Sequence, residues 1–317
     1  MALDHYVSQV HLRKFYSPKL GNRMYAIRKQ DLKAFTPDAY SVCRLEEGNT
    51  NSFLKEARAI EEFLKTVEPC YNSAVDKLQN DTIDHDCVYV IAGFVAYVLT
   101  CSPAAMRLQS GPIKHMIEET ARALDSKDNL PRVSAVLAER SVTELLDSGL
   151  VRVQVDPKYP QAIGTASIFS QINTFGNFKW EILVNTIVDS PFFTSDFPVA
   201  VEKTPNIQIL NWIVPLAPNL AIRICPDGEY DHQQTDFSFT GFRRVIRHLK
   251  RQEVISINRL LVQCAETTVF FRDNHEWVPG FVKQFAGFQV NVRAMKRGHL
   301  HWFTHEIIPL DYRVVEL

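Results

Sequence analysis

The stretch CVYVIAGFVAYVLTCSPAAM, Cys87 to Met106, carries no charge between Asp86 and Arg107. A run close to the ~20 residues that cross a bilayer is either a membrane span or a helix buried on every side within a core. Its densest apolar part stops at Leu99, where Thr100, Cys101, Ser102 and Pro103 follow, and no other segment resembles a span. A buried core helix is therefore expected, with no membrane partner, and the remaining segments are read as the layers that cover it.

Upstream, FLKEARAIEEFLKTVEPCYNSAVDKL places Phe53, Leu54, Ala57, Ile60, Leu64 and Val67 at spacings of three and four, which makes one buried helical stripe. Pro69 is expected to bend or end that helix, because it lacks an N–H and its ring meets the preceding turn. Asp84 or Asp86 can cap the core helix; IKHMIEETARALD and VSAVLAERSVTELLDSGL continue the helical pattern to a stop at Gly149. Beyond Leu150 the texture changes to VRVQV, WEILVNTIV, PFFTSD, PVAVE, QILNWIVPLA and LAIRIC, punctuated by Pro, Asn, Asp and Gly. One further helix, Gly241 to Ala265, precedes TTVFF, FQVNVRAM and HLHWFTHEIIPL.

Helices first and strands later predict an α+β protein, its helical N-terminal half packed on a mostly antiparallel β-sheet in the C-terminal half. No Ser/Gly linker and no repeat divides the chain. Residues 1–317 are expected to form a single compact unit, with a mainly helical lobe over 1–150 and a mainly β lobe over 151–317 that carries one basic helix.

The 35 basic and 36 acidic residues leave a formal charge of −1, so any affinity for nucleic acid must be local. Six cysteines without a CxxC pair fit neither a disulfide framework nor a zinc knuckle, and Asp4, Arg13 and Lys14 interrupt any signal-peptide core. A cytoplasmic location is the expectation. The glycines never cluster as GxGxxG or GxxxxGK[ST], and neither GxSxG nor HExxH occurs, which removes the common nucleotide cradles, serine hydrolases and zinc proteases.

Four stretches carry residues able to do chemistry. In DHYVSQVHLRKFYS, Asp4 to Ser17, a helical reading sets His5, Gln9 and Arg13 on one narrow arc. Imidazole, amide and guanidinium converging there suit an anion or a polar heterocycle. The alternative is that Tyr6, Val10 and Phe15 dock the segment while its polar residues tie down carbonyls. In PFFTSDFPV, Pro191 to Val199, the hydroxyls of Thr194 and Ser195 and the Asp196 carboxylate can hold a metal, a water or a substrate, or close an Asx turn beside the proline. GFRRVIRHLKRQ, Gly241 to Gln252, reads as a basic amphipathic helix whose Arg243, Arg244 and Arg247 touch phosphates or form a solvated face paired with acids elsewhere. GHLHWFTHE sets His299, His301 and His305 on one face of a strand, without a carboxylate partner for a metal.

The start HYVxQxxLRxF and the later TSDxPV together resemble the bacterial family catalogued as domain of unknown function 4238. The resemblance extends to Val214-Pro215-Leu216-Ala217-Pro218 and to the segment from Asn258 to Phe271. Two departures stand out: Ser8 occupies a position where the family has proline, and Cys101 precedes Ser102-Pro103 where the family carries an arginine, the nearest cation being Arg107. The resemblance brings no established reaction, but it joins the two patterned stretches and implies that they line one cavity.

The resulting expectation is a bacterial hydrolase acting on a phosphodiester or nucleotide in a toxin or phage-defence setting. His5 would be its acid or base, Arg13 would hold the anionic centre, and Asp196 would orient His5 or a metal-bound water. Gln9, Tyr6, Thr194, Ser195 and Asn258 would bind substrate, and the only cofactor suggested is a divalent metal. The rival is a non-catalytic module that recognises nucleic acid or a partner through the cavity or the basic helix, and a third reading makes the patterned residues fold determinants alone.

Overall fold

A computed structural model describes residues 3–127, 140–206, 209–227, 235–297 and 300–310. The chain opens with β1 (Leu3–His5), the short α1 (Gln9–Arg13), β2 (Tyr25–Arg28), β3 (Ala34–Phe35) and β4 (Arg44–Glu46). Helices α2 (Ala59–Val67), α3 (Tyr71–Gln79), α4 (His85–Cys101), α5 (Pro103–Asp125), α6 (Val142–Asp147), α7 (Lys158–Ala166) and α8 (Ile168–Asn177) follow. Then come β5 (Lys179–Val184), β6 (Thr194–Ser195), β7 (Ala200–Lys203), β8 (Leu210–Ala217), β9 (Leu220–Cys225) and β10 (Arg243–His248). The described chain closes with α9 (Arg251–Cys264), β11 (Thr268–Phe271), α10 (Trp277–Phe285) and the hairpin β12 (Phe288–Arg297) and β13 (Leu300–Pro309).

Helix α4 is the centre, as its uninterrupted apolar run requires. Asp84 caps it by accepting the Cys87 N–H at 2.9 Å, and every residue from Val90 to Val98 is buried. Each such Val, Ile or Phe contributes roughly 1.5–3 kcal/mol by leaving water. Ser102 ends α4 and its hydroxyl caps α5 through the Ala105 N–H at 3.1 Å. No single described helix is long and apolar enough to cross a membrane; α4 and α5 pass that test only as a pair bent by 63°. The stripe of α2 buries Ile60, Phe63, Leu64 and Val67 against α4, and at Pro69 the helix tightens into a 3-10 turn, Glu68–Cys70, before α3. Phe53 lies outside that stripe and is exposed.

The same hydrophobic cluster continues into a five-stranded sheet of order β10-β5-β9-β8-β7, antiparallel except where β10 runs parallel to β5. A second, antiparallel sheet, β3-β2-β11-β6, joins the two ends of the chain. The fold is α+β with helices mostly early and strands mostly late.

The local departures from expectation have physical reasons. VRVQV is not a strand, and the segment after it forms α7 and α8; there Ile168, Ile172 and Phe175 recur at helical spacing and are buried. The first 46 residues supply four strands, because β2 pairs with β11 and β1 with β4 across long sequence gaps. The expected basic helix from Gly241 splits: Arg243–His248 is an edge strand and the helix starts at Arg251, where the Glu253 carboxylate accepts the Lys250 N–H at 2.8 Å. The expected helix around VSAVLAER falls mostly outside the described residues; its tail is α6, stopped by Gly149 at φ +71°.

Gly176 in α8 lets the chain pass directly over Phe239, since a Cβ there would sit 2.2 Å from the ring. Gly176→Ala is expected to lower stability by about 1–3 kcal/mol through overpacking. Gly280→Ala, on the exposed side of α10 with open space around it, is expected to raise stability by about 0.5–1 kcal/mol. Urea unfolding of the two variants measures both, and equal effects would refute the packing argument.

Candidate functional site

The opening strand and helix place His5, Gln9 and Arg13 on one surface arc. Strand β1 pairs with β4, the backbone breaks at Ser8, and α1 then carries Gln9 and Arg13 one turn apart. His5 Nε2 lies 3.1 Å from the Tyr40 carbonyl, which only accepts, so this nitrogen carries the hydrogen. Nδ1 is then the acceptor for the Gln9 amide at 3.4 Å, and Gln9 Oε1 in turn accepts from Arg13 Nη2 at 2.9 Å. These contacts form a single directed chain that holds the guanidinium at its outer end.

Two cavities flank this chain, and Gln9 lies in the wall of both. The larger, about 480 Å³, is lined by Arg13, Arg23, Asn22, Tyr16, Asp38 and the 63% exposed Tyr40, among others. The Arg44 guanidinium stands 5.0 Å from the Tyr40 ring centroid. The smaller, about 200 Å³, adjoins His5 and is acidic, with Asp4, Glu61 and Glu68 in its wall. Asp4 forms a bidentate pair with Arg58 at 2.7 and 3.1 Å and accepts the Asn49 N–H at 3.0 Å. Burial alone would raise its pKa, but Arg58, the Asn49 amide and the Lys158 charge together hold it below the ordinary value.

The later motif does meet α1, through a different histidine. His11, fully buried, lies 2.8 Å from Thr194 Oγ1 through Nε2 and 2.7 Å from the Tyr71 hydroxyl through Nδ1, and its ring stacks on Phe94. Burial pushes its pKa down to about 3, so it stays neutral. Asp196 faces neither His5 nor Arg13. Its carboxylate accepts the N–H groups of Glu266, Thr267 and Thr268 at 3.0, 2.8 and 3.2 Å and also the Thr267 hydroxyl. Desolvation nevertheless holds its pKa above the ordinary carboxylate value.

Other motif residues are likewise engaged with backbone. Ser195 Oγ accepts the Phe197 N–H at 3.1 Å, and Asn258 bonds the Phe193 N–H at 3.0 Å and the Pro191 carbonyl at 2.8 Å. Tyr6 is half-buried; burial first, then the neighbouring Cys43 and Asp196, drive its phenol pKa upward. Arg107, the cation nearest to the altered Cys101 position, pairs with Glu266 through two 2.8 Å contacts.

On the basic edge strand, Arg243 pairs with Asp227, Arg244 with Asp81 at 2.8 Å, and Arg247 with Glu181 at 3.1 Å and Glu253 at 2.6 Å. Of the three late histidines only His305 has a described side chain, and no group of three or more His, Cys, Asp or Glu able to hold a metal occurs among the described residues. No sequence spacing points to Arg23, Asn22 and Tyr40, because the first two come from the α1–β2 connection and the third from the β3–β4 connection, and only the fold brings them together.

A protein-family model described as "Protein of unknown function (DUF4238)" matches residues 4–275. No curated protein and no solved structure matches the chain.

Two predictions separate fold determinants from site residues here. The unfolded state binds a proton on His11 below about pH 6.5 while the folded state resists to about pH 3, so this residue makes stability fall as pH drops through that window. The slope is at most about 1.4 kcal/mol per pH unit, and in His11→Gln the stability–pH curve from chemical denaturation should be flatter there. Asp196→Ala leaves the part-buried N–H groups of Glu266, Thr267 and Thr268 without their carboxylate partner and is expected to cost about 1–3 kcal/mol. Unchanged unfolding midpoints for that variant would refute the assignment.

Proposed function

Since the chain belongs to the DUF4238 family, whose model covers both the α1 arc and the Thr194–Asp196 segment, we propose that it is a recognition module for phosphate-bearing ligands, a nucleotide or single-stranded nucleic acid, bound in the cavity beside α1. The directed chain from the Tyr40 carbonyl through His5 and Gln9 to Arg13 is the observation that carries this reading. It fixes the fork of a fully charged guanidinium in advance, with its remaining N–H groups free for a phosphate oxygen, so little side-chain entropy is lost on binding. Arg23 adds a second charge, Asn22 and Gln9 offer amides, and the exposed Tyr40 ring gives a base a stacking face.

Hydrolysis by His5, Arg13 and Asp196 acting together has less support. Asp196 is spent on backbone amides elsewhere, and both ring nitrogens of His5 already have protein partners. The basic strand is also the weaker candidate surface, its arginines being paired with acids.

Fluorescence anisotropy with short single-stranded RNA and DNA, and calorimetry with nucleoside phosphates, test the reading. Arg13→Ala and Arg23→Ala are each expected to weaken binding about tenfold and to reduce the slope of log K against log salt by roughly 0.7. Neutralising Arg243, Arg244 and Arg247 should leave binding unchanged. Affinity unaffected by either cavity variant would overturn the proposal, and turnover abolished in His5→Ala would establish the hydrolytic reading in its place.

A further inference from the structure

A third cavity, about 420 Å³, is lined by the edge strand β7, helix α9 and the hairpin strands β12 and β13. It shares no lining residue with the cavities beside the α1 arc. Four polar side chains converge on it: Lys203 from β7, Ser256 and Arg259 from α9, and His305 from β13. None of the four makes a side-chain hydrogen bond or ion pair with another described residue, unlike the arginines of the basic strand β10 at the opposite edge of the sheet. Leu260 and Phe288 provide apolar wall beside them.

The two acids in the lining do not neutralise these cations. Glu202 is taken up by Arg223 at 2.8 Å and by Asn211 at 2.9 Å, and Glu306 faces Arg293 at 3.6 Å. The cavity therefore presents two uncommitted positive charges, a hydroxyl and an imidazole against an apolar wall. Its volume lies within the ~300–1,000 Å³ range of small-molecule sites, which are mostly apolar with a few convergent polar groups.

We propose that this cavity binds a small organic anion, a carboxylate or phosphate head on an aromatic or aliphatic body. Arg259 and Lys203 hold the head, Ser256 and His305 hydrogen-bond to it, and the body lies along Leu260 and Phe288. Burial keeps the His305 pKa below its ordinary value, so the imidazole serves as a neutral hydrogen-bonding group. The edge of β7 stays accessible for the ligand because β8 is its only strand partner among the described residues.

Isothermal titration calorimetry with phenylacetate, phenyl phosphate and phenethylamine tests the proposal on the full chain. At least one of the two anions is expected to bind, the tighter one identifying the head group, and the cation is expected not to bind. Arg259→Gln and Lys203→Gln are each expected to weaken anion binding about tenfold; both residues are exposed, and unfolding midpoints confirm that the variants fold. Arg23→Gln, in the other cavity, should leave this binding unchanged, which separates the present site from the α1 reading. Binding of the amine as strong as that of the acids, absence of binding by both anions, or anion affinity indifferent to Arg259→Gln and Lys203→Gln would overturn it.

Discussion

The turn between α9 and β11 runs from the buried Ala265 to the exposed Thr267, and two buried ionisable side chains, Asp196 and Lys29, bond its backbone polar groups. Asp196 takes the N–H groups of residues 266–268, while Lys29 Nζ donates to the carbonyls of Ala265 at 2.5 Å, Phe288 at 2.7 Å and Gln263 at 3.3 Å. The clamp is completed by main-chain bonds from Lys29 to Thr267 and from Asp196 to Thr268. Three acceptors saturate an ammonium and four donors occupy a carboxylate, so neither charge is left bare where solvation is lost. Burial still draws the Lys29 pKa down to about 8, partly offset by the nearby Asp196 charge. Because Lys29 follows β2 and Asp196 follows β6, this turn joins the two ends of the chain into one antiparallel sheet.

That sheet determines where α1 lies, and the helix divides its work by face. His11 and Leu12 point inward with Phe15 just beyond, His11 bridging Tyr71 of α3 to Thr194 of β6. Gln9 and Arg13, four apart, point outward and join His5. One short motif thus carries a fold determinant on one side and a free guanidinium on the other, as a helical period permits. The two patterned stretches of sequence are linked by a neutral imidazole and a hydroxyl instead of by a catalytic carboxylate.

What was legible in the sequence was local. Asp84 or Asp86 as a cap, Pro69 as a bend, Gly149 as a stop and the charge-free run from Cys87 as a buried helix follow from backbone chemistry within a few residues; the structure has each of them, with Asp84 as the cap. The order of helices before strands gave the α+β class. Gln9 and Arg13 share a face of α1 as the helical reading required, but His5 lies on strand β1 and joins them across the backbone break at Ser8 and not through a helical turn. Long-range pairing was not legible: β1 pairs with β4 across some forty residues and β2 with β11 across most of the chain, and no pattern inside those strands announces it. In GFRRVIRHLKRQ, basic residues sit on both helical and strand periods, and only parallel pairing with β5 decides for strand. Asp196 had a polar neighbourhood consistent with either a site or a turn; its burial beside three amide N–H groups decides what it holds.

Partner bookkeeping, more than charge density, ranks the basic surfaces of this chain. Arg243, Arg244 and Arg247 form the densest basic run, yet each faces a carboxylate at contact distance, and a phosphate would have to displace an existing ion pair. Such pairs are individually weak when exposed, but replacing one anion by another gains only the difference between them. Arg13 donates to a neutral amide, so a phosphate meets a guanidinium whose charge is still unopposed at contact distance. Arg23 stands near Asp38, whose carboxyl is held low first by Ser41 and only then by the Arg23 charge, and it too forms no contact ion pair among the described residues. With a formal charge of −1 over the whole chain there is no general field to recruit an anion, so selectivity has to come from these few uncommitted cations.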